Sequence, residues 1–211
     1  MNIQIYYTIG IVTTVIAILY AIIAYFKYGV DEIRETVNID INHDEMENIE
    51  QLVRQVKKEH KLDDDTPLCV FAQAINVKEG KPLKDIHTKA VINPPSDDGY
   101  MYVDYSIKLS AKEKLFALGH ECGHVLNKHP IPNTLWEGRG KPEDEQIADY
   151  TAAAIIMPQE KIKNMLIGNS YCELGTKQKR KLVLKICKKY NVSESSAIKR
   201  IMEVRLLCGL E

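Results

Sequence analysis

The sequence predicts an α+β fold. A small mixed or antiparallel sheet packs on a His-Glu-x-x-His helix, a helical, helix-turn-helix-like tail follows, and a transmembrane helix precedes. Three observations predict it. No charged side chain occurs before Lys27. Short β-like runs lead up to a strong helix-start signal at Ser110. Helical spacing then dominates to the end of the chain. The 211 residues suggest one ordinary domain with something attached. With 45% hydrophobic and 27% charged residues, disorder and fibrous repeats are excluded.

From Ile3 to Phe26, 19 of 24 residues are apolar or aromatic, the exceptions being Gln4, Thr8, Gly10, Thr13 and Thr14. As a helix this run spans about 36 Å, enough for a bilayer core of about 30 Å. It lacks the basic flank and short apolar core of a signal peptide. It is too uniformly apolar for a core helix. The tyrosines Tyr6, Tyr7, Tyr20, Tyr25 and Tyr28 lie mostly near its ends, where aromatic belts form. Lys27 and Arg34 follow the run, which places the N-terminus outside and the rest in the cytoplasm. Residues 1–28 are therefore expected to be a single-pass anchor in the cell membrane, and 29–43 a juxtamembrane linker. Five cysteines without a CxxC pair suit reduced thiols in a reducing compartment.

A core domain is expected over residues 44–170. Met46, Ile49, Leu52, Val53 and Val56 predict a helix from Asp44 to His60. Leu68–Ala74, Thr88–Ile92 and Gly99–Ile107 read as strands, the last two as a hairpin across Ser96-Asp97-Asp98-Gly99. Ser110 and Glu113 form a capping box that opens a helix to about Lys128. Pro130, Pro132, Gly138, Gly140 and Pro142 mark a loop. The next helix should stop at Met157-Pro158. Helices are then expected over Gln159–Leu166, Lys177–Tyr190 and Ser193–Leu207.

The helix after the capping box carries His120-Glu121-Cys122-Gly123-His124. Residues i and i+4 share a helix face, so both imidazoles can reach one metal ion. Glu121 sits one position around, where it can take a proton from an activated water and pass it to a leaving amine. In this composition the motif arises by chance on the order of once in a hundred such chains. A catalytic zinc takes three protein ligands and leaves one position open. A metzincin-type third ligand fails, because positions 127 and 130 hold Asn127 and Pro130. His129, five residues past His124, would turn well off the ligand face on a continuous helix. Glu145 on the following helix is the favoured third ligand. Asp149, one turn on, would orient a ligand histidine from behind. Ala152, Ala153 and Ala154 are small enough to let the two helices approach closely.

LGHECGHVLNKH followed by EDEQIADYTAAAIIMP resembles the ImmA/IrrE family of zinc metallopeptidases. The resemblance covers roughly residues 44–170. It implies His120, His124 and Glu145 as Zn2+ ligands and Glu121 as the catalytic base. Ala148, Asp149, Met157 and Pro158 also fall on the pattern. Cys122 stands where an apolar residue is usual, and Thr151 where an aromatic is common. The resemblance further implies site-specific cleavage of a regulatory protein, often a helix-turn-helix repressor. The alternative is a zinc-containing sensor module that binds a transcriptional partner with little or no proteolysis.

Such a peptidase holds its substrate as an extended strand along a sheet edge, for which Gly99–Ile107 is the expected candidate. Tyr100, Tyr102, Tyr150 and His129 are all conceivable oxyanion donors. The tail, residues 171–211, is basic: from Gly175 onward it has net charge +7, against -8 over residues 27–174. DNA contact, anionic lipid near the anchor, or packing against a protein substrate are its open uses, beside two solvated helices that simply complete the fold. A membrane anchor leaves nucleic acid the less favoured partner.

Overall fold

The computed structural model describes residue 39 and residues 41–84, 89–129 and 143–210. The apolar run, most of the expected linker, and the loop after Pro130 lie outside them. Among the described residues no helix is long and apolar enough to cross a membrane.

Seven α-helices and a three-stranded sheet form the described part. Helix α1 spans His43–Glu59; Asn42 caps it by accepting from the Glu45 amide. Its apolar face buries Met46, Ile49, Val53 and Val56. Leu68–Ala74, expected as a strand, is a short helix, α2. Leu68, Phe71 and Ala72 repeat at three and four residues, so a helix buries all three on one side. An isolated apolar run of seven residues leaves helix and strand undecided, and here packing decides.

Strands β1 (Val77–Leu83), β2 (Ala90–Ile92) and β3 (Met101–Ser106) follow. The expected β2–β3 hairpin is present as an antiparallel pair. Strand β1 pairs parallel with β3, so the sheet is mixed and its order is β1-β3-β2. The middle position of β3 corrects the expectation that Gly99–Ile107 offers a free edge: both of its sides are paired.

Helix α3 (Ala111–Leu126) begins at the expected capping box, with Ser110 and Glu113 each satisfying the other's backbone N–H. Such a cap is worth about 1 kcal/mol. Helix α4 (Glu143–Ile156) packs along α3. Helices α5 (Gln159–Ile167), α6 (Thr176–Tyr190) and α7 (Glu194–Cys208) complete the chain. Asn191 adopts the left-handed conformation that ends α6 and turns the chain into α7.

Two apolar clusters hold these elements. The first joins α1, α2, the sheet and one side of α3 and α4; Ile39 and Ile41 pack on it too. The second is built by α5, α6 and α7 around Ile162, Ile186 and Ile201. Helix α4 bridges them, giving Tyr150 and Ala154 to one and Ala153 to the other. A buried polar tie crosses the same boundary. The Arg200 guanidinium donates to Glu50 Oε1 at 2.6 Å and to the Met157 carbonyl at 2.9 Å. The Tyr150 hydroxyl donates to the same Glu50 oxygen at 3.1 Å. Arg200, counted by sequence among the basic residues of the tail, is therefore not on its surface but fully buried.

Candidate metal centre

The helix pair α3–α4 is built for close approach. A Cβ on Gly123 would stand 2.7 Å from the Ala148 carbonyl oxygen and 2.8 Å from its Cα. A Cβ on Gly119 would crowd Ala152 and Ile156. Only hydrogen fits at Gly123, so the backbones of the two helices touch there. The end of α3 is then clipped to α4. Asn127 donates its amide to the Gly123 carbonyl and to Thr151 Oγ1, and Thr151 donates in turn to the Ile147 carbonyl. Thr151 thus has a specific task in holding the two helices together.

This contact sets the chemistry. His120 Nε2 and His124 Nε2 lie 3.0 Å apart. Each is 3.2 Å from an oxygen of Glu145. In a tetrahedral site with bonds of about 2.0–2.1 Å, ligand atoms are about 3.3 Å from one another. His120 faces Glu145 Oε2 and His124 faces Oε1; with one donor atom from each residue the three lie within 4.8 Å of one another and could hold one metal ion. Two imidazole nitrogens and one carboxylate form a donor set that suits zinc.

Asp149 stands where the sequence reading put it. Its Oδ1 is 2.8 Å from His120 Nδ1. A carboxylate only accepts, so His120 donates through Nδ1, and Nε2 is the nitrogen turned to the cluster. Burial by itself lowers the His120 pKa, but the hydrogen bonds to Asp149 and Glu145 outweigh it and raise it to about 9. His124 is lowered to about 4, first by burial and then by the charge on His120.

Glu121 is buried beside this cluster and not part of it. Its Oε2 has no hydrogen-bond partner among the described residues. Burial, then the negative charge of Glu145, holds its carboxyl up at about 7 despite the opposing pull of His120. A buried carboxylate with a free oxygen beside three convergent donors is arranged to exchange a proton with whatever sits there. Cys122 points away into the core, fully buried, and burial raises its thiol pKa above the ordinary range.

The expected oxyanion donors fare differently. Tyr150 is committed to Glu50. Tyr102 donates to Asp98 at 2.6 Å, and Tyr100 lies under the Lys78 ammonium. None of the three joins the cluster. His129 does reach it, 3.0 Å from His124. Sequence reasoning ended the helix at about Lys128 but placed His129 by extending its rotation, which turns the ring off the ligand face. Asn127 closes α3, and Lys128 turns left-handed with φ 56°. Tyr105, on the same strand as Tyr102, was not among the named oxyanion candidates. Its buried hydroxyl lacks a partner among the described residues, and its pKa is raised by burial and by nearby charges that include Glu121.

Two histidines a turn apart on one helix, a glutamate from the next, and a glutamate beside them define a metallopeptidase-type centre. The sequence pattern of the IrrE N-terminal-like domain, peptidase family M78, matches residues 80–202. The chain belongs to this ImmA/IrrE peptidase family. It has no significant match among curated proteins.

Proposed function

We propose that this protein is a membrane-tethered zinc metalloendopeptidase that cuts a cytoplasmic regulatory protein, of the helix-turn-helix repressor type. The observation that carries the reading is the convergence of His120, His124 and Glu145 with Glu121 alongside. These three residues would hold the ion, and Asp149 fixes the tautomer of His120. When bound, zinc polarises the scissile carbonyl and makes water acidic enough to attack at neutral pH. Glu121 accepts the proton of the attacking water and returns it to the leaving nitrogen. The substrate chain adds as a strand to β2, the sheet edge that lies against α3. The uncharged apolar run before Lys27 supports the tether. Five free cysteines and the basic residues that follow the run support a cytoplasmic catalytic part.

Replacing Glu121 by Gln tests the reading. The variant should keep its zinc and lose regulator cleavage by roughly 10²–10⁴-fold, the range for a positioned acid–base group. If wild type and variant both leave the regulator intact, and both still switch its promoter, the chain is a sensor and not a peptidase. For the tether, protease added outside intact cells should spare everything after the apolar run. Digestion of that part from outside would overturn the cytoplasmic placement.

A further inference from the structure

We propose that His129 is a positioning residue for His124, so that each histidine of the metal centre is oriented by its own partner. The inference rests on the metal-centre reading above. His120 has Asp149; His124 has His129, backed by Asp144. The two Nδ1 atoms of His124 and His129 lie 3.0 Å apart, and the rings meet edge to face at 69° with centroids 5.2 Å apart. His129 Nε2 is 3.7 Å from Asp144 Oδ1.

The approach is fixed by backbone. The His129 amide donates to the His124 carbonyl at 3.0 Å, and the left-handed Lys128 folds the chain back over the end of α3. The ring of His129 is thereby laid against that of His124, its side chain only 9% exposed. Proton placement then follows from one requirement. If His124 offers the Nε2 lone pair to a metal ion, its neutral ring carries the proton on Nδ1. That N–H needs an acceptor, and the atom in front of it is His129 Nδ1. His129 then carries its own proton on Nε2, the nitrogen that faces the Asp144 carboxylate. Each ring nitrogen of His124 and His129 then has a consistent role. A partner of this kind raises the basicity of the ligand and holds its ring in the bonding orientation.

Plain ring packing is the competing explanation, and substitutions separate the two. His129→Phe keeps a ring and removes the acceptor. His129→Asn removes the ring and puts an amide oxygen about where Nδ1 stood. Zinc affinity is measured by chelator competition on the full-length chain in detergent, with His120→Ala as the control that lacks a ligand. We expect His129→Phe to bind zinc roughly tenfold to a hundredfold more weakly than wild type and His129→Asn to recover most of the loss. Thermal melts in excess chelator should leave both variants folded. Asp144→Asn, at an exposed side chain, should weaken binding by a few-fold and carries the test if the Phe variant does not fold. Wild-type affinity in His129→Phe overturns the proposal, as does an Asn variant no better than Phe, or, where Phe fails to fold, an Asp144→Asn variant that binds like wild type. If wild type binds zinc no better than His120→Ala, the metal-centre reading itself is wrong.

Discussion

Glu145 joins His120 and His124 from a different helix than the one that carries them and Glu121. Its side chain is 27% exposed, and His120 keeps Asp149 as a partner when it is removed. Glu145→Ala should therefore fold and yet lose stoichiometric zinc, measured as metal per chain after dialysis at neutral pH. Full occupancy in that variant would show that another residue completes the set. The residues of the centre were legible for a simple reason. His120 with His124, and Glu145 with Asp149, are i,i+4 pairs, and a helix alone puts each pair on one face. His129 was not legible in this way, since its position depends on where α3 ends and how Lys128 turns. The tyrosines failed likewise: their places along the chain put them near the site, but Glu50 and Asp98 hold Tyr150 and Tyr102 elsewhere.

At the scale of elements, the contact of α3 with α4 decides whether the cluster exists. A methyl group at position 123 meets the backbone of Ala148, which cannot swing aside as a side chain could. Gly123→Ala should cost about 1–3 kcal/mol through overpacking, in spite of the better helix propensity of alanine. It should also weaken zinc binding, because Glu145 retreats with α4. Denaturant melts with and without zinc measure both effects; an unchanged zinc affinity would mean that the close approach does not govern the site. Most helices were legible through caps and spacing, Ser110 and Glu113 above all. The errors fell where local signals are weak. Leu68–Ala74 is too short for its period to speak. Strand β1 contains Lys78, Glu79, Gly80, Lys81 and Pro82, a poor strand sequence that carries an irregular register against β3. It is held by its neighbour: a Cβ at Gly80 would collide with the Asp104 carboxylate, and that carboxylate accepts the Lys81 amide at 2.6 Å.

Across the whole molecule, the tie at Arg200 joins the tail to the first helix. Glu203 completes it, 3.7 Å from the Arg200 guanidinium and almost wholly buried. Burial raises its pKa from 4.5 to about 7, against the pull of Arg200. Between those values the folded chain holds a proton that the unfolded chain has released. The stability from this group is full below about pH 4.5 and falls as pH rises toward 7. Wild type should therefore lose more stability than Glu203→Gln between about pH 5 and pH 7.5, read by denaturant unfolding at both values. Parallel slopes would show that Glu203 ionises as freely in the folded chain as in the unfolded one. None of this was visible in a sequence where Arg200 is one of ten basic residues beyond Gly175.

The seam where Gly123 meets Ala148 also constrains how this protein can change. Two helices whose backbones touch act as a gauge: widening either side displaces the carboxylate from the imidazoles. Enlargement at position 123 meets the backbone of Ala148, and enlargement at position 119 meets Ala152 as well as the tip of Ile156. Substitutions that leave the His120–His124–Glu145 cluster in place are therefore confined to the faces of α3 and α4 turned away from this seam.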